Sequence, residues 1–349
     1  MTARYTKLVI ILSILSVLTF AGSLQAQQKA RPASRTAVSS KNRLATPSAA
    51  KDDARKPAAA EAPRKDPQAA KSQGDELFKA GKYDQALEFY KQAVTLLPTL
   101  AEAHYRIGWI LNEQGLFLPA IDALKDALKV NPQYPIAHAE LGYSYFKLQR
   151  NPEATEAFKE AIRLKPDMFL AHLGLGDVYY YNTGQYAEAL EAFKSAVRLV
   201  KDDMQTHHKI GWCYNQLRQP TAAVDAFKEA LRIEPESVEA AHGLAYAYNE
   251  LQRYEEVLEL LIKAIRLKPD YPQAHNELGY AYYGLGQFKE AVDEFKLAIH
   301  YDKDYAQARY YLGLTYLAQG NRVGALEEYK TLQTMKSEHA DKLYKQIYK

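Results

Sequence analysis

A chain of 349 residues, 47% hydrophobic and with a single cysteine, is long enough for two or three domains and holds no disulfide framework. Its net charge of +3 conceals an asymmetry: two basic side chains fall in residues 1–26, ten basic and four acidic in 27–66, and 33 basic against 38 acidic in the remainder. A surplus of acid over the larger part excludes the basic face that nucleic-acid binding requires.

Arg4 and Lys7 precede an apolar run over residues 8–20, followed by the small residues Ala21, Gly22 and Ser23 and by Leu24-Gln25-Ala26. Charged start, apolar middle and small-residue end are the order of a secretory signal peptide, and the run is short of the about 20 apolar residues a membrane span wants. Residues 1–26 are therefore expected to direct export to the periplasm or beyond the cell, with cleavage after Ala26. Cleavage after Ser23, or retention as an uncleaved inner-membrane anchor, are the alternatives. No cysteine ends the run, which excludes a lipoprotein anchor. Residues 27–66 are dominated by Ala, Pro, Ser, Lys and Arg, and prolines at 32, 47, 57 and 63 interrupt any helical or strand period. Such a segment buries too little to order itself and is expected to be a disordered basic spacer. Contact with a membrane is expected only through this linker or an uncleaved N-terminal segment.

Asp66 and Pro67 read as N-cap and first-turn proline of a helix. From there a unit recurs whose clearest copy is residues 137–167. His138, Leu141, Gly142 and Tyr145 lie on one face of a first helix, and Ala154, Phe158 and Ala161 stripe a second one. Asn151-Pro152 reads as the N-cap and first turn of that second helix, and Pro166 ends it. The small residue of the first helix recurs as Gly74, Gly108, Gly142, Gly176, Gly211, Ala245, Gly279 and Gly313, at intervals of 34 residues with one of 35. Gly81, Gly115, Gly286 and Gly320 mark the turn between the helices. Eight units follow: 67–100, 101–134, 135–168, 169–203, 204–237, 238–271, 272–305 and 306–339. The fourth carries the additional residue within 179–184 and lacks a closing proline, which predicts a weaker joint and a bend before the fifth. Residues 340–349 place Leu343, Tyr344 and Ile347 on one face of a last helix.

The order W-x2-L-G-x2-Y, A-x3-F, P at this period resembles the tetratricopeptide repeat over residues 67–339. That resemblance implies an all-α fold: a right-handed solenoid of about eight helix-turn-helix repeats closed by a C-terminal capping helix, each pair burying an apolar face against its neighbours.

No catalytic motif is present, neither G-x-S-x-G, a phosphate-cradling glycine loop, H-E-x-x-H nor a cysteine–histidine pair. No cofactor is expected. His104, His138, His172, His207 and His275 fall at one place in five repeats, but neighbouring repeats hold equivalent residues about 8–10 Å apart, too far for imidazoles that must each bring a nitrogen within about 2 Å of one zinc. They stand where the family pattern has tryptophan, and a structural role is expected, with no metal. Cys213 is expected to be a small buried core residue.

The resemblance further implies that the first helices line a concave groove, with repeat positions 2, 5, 9, 12 and 13 pointing into it. Position 9 then supplies Trp109, Tyr143, Trp212, Tyr246 and Tyr280; position 12 supplies Phe78, Asn112, Phe146, Tyr180, Asn215, Asn249 and Tyr283; position 5 supplies Tyr105, His208, His242 and Tyr310. Flat amphipathic rings with amides between them suit a protein or extended-peptide partner, the amides bonding its backbone. The alternative is a glycan stacking on the same rings. The carboxylate clamp of chaperone-binding members is missing, since its five places hold Lys71, Asp75, Arg106, Ile136 and Glu140. The expected function is a non-enzymatic scaffold of a bacterial envelope complex, with a glycan-associated protein of polysaccharide export or cell-wall organisation as the alternative.

Overall fold

A computed structural model describes residues 66–349. The expected signal peptide, 1–26, and nearly all of the expected basic linker, 27–66, lie outside the described residues. Those described form seventeen α-helices and no strand. Sixteen pair off in chain order: α1 Pro67–Lys79 with α2 Tyr83–Leu96, α3 Ala101–Glu113 with α4 Phe117–Val130, α5 Pro135–Lys147 with α6 Asn151–Leu164, and α7 Phe169–Asp177 with α8 Tyr186–Leu199. Then follow α9 Met204–Gln216 with α10 Pro220–Ile233, α11 Val238–Glu250 with α12 Tyr254–Leu267, α13 Pro272–Gly284 with α14 Phe288–Tyr301, and α15 Ala306–Ala318 with α16 Arg322–Thr334. The last is α17, His339–Ile347.

The small residue of each first helix is there because a large side chain of the pair sits on it. A Cβ added to Gly176 would lie 2.5 Å from the Phe193 ring, and one on Gly211 would lie 2.7 Å from that of Phe227. Tyr90, Phe193, Phe227 and Phe295 are fully buried in this role, each contributing about 1.5–3 kcal/mol of apolar burial. In the eighth repeat the same place against Gly313 is filled by Leu343 of α17. The capping helix thus replaces the missing ninth neighbour: Leu343 and Ile347 are buried. Tyr344, expected on that buried face, is instead exposed and packs on Tyr329 and Tyr348.

Helix ends follow local chemistry. Asp66 accepts a bond from the Gln68 N–H at 2.9 Å, and Asp203, where a proline is lacking, caps α9 through the Thr206 N–H at 2.8 Å. Asn151 is not an N-cap: it is the first residue of α6, Arg150 holds the cap position, and the Asn151 Oδ1 accepts from Asn182 Nδ2 at 2.7 Å. Turns within pairs close in one way, as where the Leu116 N–H reaches back to the Leu111 carbonyl at 2.8 Å. That turn needs a left-handed residue, Gly115 at φ +73° here, but Gln149, Arg218 and Gln252 take it in the third, fifth and sixth repeats.

The histidine ladder is structural. In His104, His138, His172 and His275 the Nε2 lies 2.9 Å from the carbonyl oxygen of the proline six residues earlier, and in His207 it lies 2.8 Å from that of Lys201. Each imidazole ties a first helix to the end of the preceding repeat. Arg309 does the same in the eighth, its Nη2 donating to the Lys303 carbonyl at 2.9 Å.

The additional residue of the fourth repeat is absorbed in the first helix, which continues from α7 as a π-helix, Val178–Thr183. Widening one turn lets the next helix resume in register. The joint beyond it is tied by a part-buried ion pair, Lys209 Nζ to Asp177 Oδ1 at 2.7 Å.

Candidate binding groove

First helices of successive repeats touch one another: α3 meets α5, α5 meets α7, α9 meets α11, α11 meets α13 and α13 meets α15. The expected groove residues all lie on first helices or on the π turn.

The structure gathers them into separate aromatic groups rather than one even row. The first is small: Trp109 meets Phe78 at 4.8 Å and Tyr83 at 5.3 Å, edge to face, with the Arg106 guanidinium 4.5 Å above the Phe78 ring. Tyr105 is buried against Tyr134. Tyr143 stands apart, 36% exposed and edge-on to Phe117, and Phe146 packs on the neighbouring core. Tyr180, on the π turn, packs edge-on to Tyr181 and Tyr186, and burial raises its hydroxyl well above the usual range.

The second group is centred on Trp212. Its ring lies 5.6 Å from Phe227, 5.5 Å from His242 and 5.6 Å from Tyr246, and its indole N–H donates to His208 Nε2 at 3.0 Å. That bond requires His208 to be neutral and to carry its proton on Nδ1. Burial drives His208 and His242 down to about 4, so both are uncharged imidazoles at neutral pH. Farther on, Tyr280 packs against Tyr254 and, at 4.9 Å, Tyr311. Tyr283 meets Phe288, and Tyr310 is stacked on His339 of the capping helix at 5.1 Å.

The three asparagines do not share one role. Asn112, 4% exposed, donates to the Glu140 carbonyl at 3.2 Å and to its carboxylate at 2.9 Å. Asn249, 3% exposed, makes the same pair to Glu277, at 3.0 and 2.8 Å. These two amide nitrogens are engaged in bracing one repeat to the next and are not free for a ligand backbone, contrary to expectation. Asn215 has Gly243 where the others have a glutamate, and neither its Nδ2 nor its Oδ1, both buried, meets a hydrogen-bond partner among the described residues.

Sequence reasoning weighed Glu140 only as a mismatch to the chaperone clamp and did not single out Glu277. Both lie on first helices, Glu140 on α5 and Glu277 on α13. Burial pushes each carboxyl up to about 7, against the hydrogen bond from its asparagine, and Glu113 and Glu250 respectively add like charge. The available signal was a shared pattern: Asn-Glu at 112–113 and 249–250, each followed 28 residues after its asparagine by Glu-Leu-Gly-Tyr.

Models of the tetratricopeptide repeat match residues 117–169, 139–203 and 205–237, and a TPR-repeat model matches 74–115, 245–286 and 281–320. Fold and family matches together define an α-solenoid of tetratricopeptide repeats. No curated protein matches the chain. Among solved structures it is similar to a tetratricopeptide repeat protein of Parabacteroides merdae, with TM-score 0.57 and 18% identity over 71% of this chain and 99% of that one. The type IV pilus biogenesis factor PilW gives 0.54 and 22%, over 60% of this chain and 98% of that one. The Cut9–Hcn1 assembly gives 0.56 and 16%, over 79% of this chain and 55% of the other. At these identities the likeness is one of fold.

Proposed function

We propose that the chain is an exported, non-enzymatic scaffold that holds an extended segment of a partner protein along its first helices and supports assembly of a bacterial envelope complex. In this reading residues 1–26 direct export, 27–66 are a spacer, and the aromatic group around Trp212 is the main seat of binding. The observation that carries it is Asn215. An amide buried without partners costs about 1–3 kcal/mol, and it offers one donor and one acceptor, the complement of a peptide group. Trp212 and Tyr246 nearby supply apolar area with polar tips, the composition of interface hot spots. A pilus biogenesis factor among the similar folds is compatible with an envelope role but adds nothing about the partner.

The test is capture from envelope extract by the full chain, against a Trp109→Ala/Trp212→Ala/Tyr246→Ala variant of equal helicity, with proteins and sugars both analysed. Retention of one protein by the wild type and its loss from the variant supports the reading. Retention of a protease-resistant glycan replaces it with the polysaccharide alternative, and captures indifferent to the variant reject the groove altogether.

A further inference from the structure

Glu277 is a carboxylate in search of a cation. It is 5% exposed, it joins no ion pair among the described residues, and the Glu250 carboxylate nearby opposes its ionisation, which a cation would favour. Its bonds come only from amides: Asn249 Nδ2 at 2.8 Å to Oε2 and Asn276 Nδ2 at 3.0 Å to Oε1. The oxygens of those same two amides, Asn249 Oδ1 and Asn276 Oδ1, are buried and unpartnered, and the two residues are 3% and 0% exposed. Two buried acceptors with no donor therefore flank a carboxylate that only neutral amides serve. Tyr246, Tyr280 and Tyr311 stand within electrostatic reach of the carboxylate, all three rings part-buried.

The equivalent place at Glu140 shows what is missing. There Ser144 Oγ donates at 2.6 Å to Asn112 Oδ1, and Ala139 stands where Asn276 does. In the later copy Ser144 is replaced by Ala281, so the amide oxygen stays open. Of the two glutamate joints, it is that of the sixth and seventh repeats that has the open acceptors.

A group that satisfies this site must carry positive charge, present several N–H donors and tolerate aromatic faces. A primary ammonium has three donors, two for the open amide oxygens and one for a remaining lone pair of the carboxylate, and tyrosine rings attract it through their electron-rich faces. We propose that Glu277, the Asn249 and Asn276 amide oxygens and the surrounding tyrosines form a receptor for the ammonium of a lysine side chain on the bound segment. The proposal deepens the groove reading: it assigns the partner a lysine, entering between the rings some two repeats beyond the Asn215 anchor.

The probe is Nα-acetyl-lysine N-methylamide, which has no free N-terminus, compared with the same compound acetylated at Nζ. Both are titrated into the full chain, following the tyrosine ring resonances by NMR. The charged compound is expected to bind at least about tenfold more tightly than the acetylated one, with Glu277→Gln abolishing the difference. Equal affinity of the two compounds for the wild type overturns the proposal, a comparison that does not depend on any variant folding. So does a preference that survives in Glu277→Gln. The probe has no sequence beyond one lysine, so lysine preference without any captured protein rejects the groove reading alone. A captured partner without lysine preference rejects the receptor alone.

Discussion

The joint between the second and third repeats and that between the sixth and seventh use one device, an asparagine gripping the backbone and carboxylate of a glutamate 28 residues on. They differ at two places, Ser144 against Ala281 and Ala139 against Asn276. With Ser144 the network closes and Asn112 has its acceptor filled; with Ala281 the Asn249 oxygen is left open. A brace whose hydrogen bonds are complete is a structural part, whereas a brace with spare buried acceptors is a structural part with room for a ligand.

The comparison breaks most clearly on charge. A glutamate held at about 7 rather than at its ordinary 4.5 is protonated in the fold over a window where the unfolded chain has already ionised it. The unfolded state binds fewer protons there, so stability falls as pH rises from about 4.5 to 7 and is lowest above, by about 3 kcal/mol per site. Glu277→Gln is expected to raise stability at pH 8 by about 2 kcal/mol, less than the full term because its amide nitrogen meets one of the asparagine donors. Urea unfolding across pH measures this. The two histidines run the other way. Held at about 4, they are neutral in the fold, and stability is lost as pH falls from about 6.5 through 4. A Glu140→Gln/Glu277→Gln variant should therefore lose stability steadily toward acid, where the wild type shows a partly cancelled profile.

Asn112→Ala removes the donor to Glu140 and leaves the Ser144 hydroxyl only the Glu140 carbonyl, at an expected cost of about 2 kcal/mol in denaturant unfolding. Exchanging the side chain that closes the network is gentler: Ala281→Ser should gain about 1 kcal/mol by filling the Asn249 oxygen, and Ser144→Ala should lose about as much. If the two changes leave stability untouched, the hydroxyl is not what separates the joints. The smallest effect concerns neither joint and serves as a scale. Arg218 holds φ +58° in a turn where other repeats use glycine, and Arg218→Gly is expected to stabilise by about 0.5–1 kcal/mol in the same assay.

What could be read from the chain was what repeats. Small residues at intervals of 34 or 35 located each helix contact, because a large buried side chain needs a small residue opposite it. The ladder of histidines was legible as structural, though not its bond to the preceding carbonyl, and Arg309 was missed because it differs in type while sharing the role. The additional residue at 179–184 was visible, but whether a loop or a helix absorbs it depends on packing, and the π turn was not foreseen. Least legible was the groove. Position alone put three asparagines in one class, and only the residue 28 places on, glutamate twice and glycine once, decides which amides are engaged.

Asn215 is therefore where the account is most exposed. The decisive measurement is capture from envelope extract by the full chain with Asn215→Ala as the sole change, quantified against the wild type. Loss of a specific protein by about tenfold or more, with helicity unchanged and stability equal or higher, is the predicted result. Undiminished capture would contradict it, leaving Asn215 an unsatisfied amide with no part in binding.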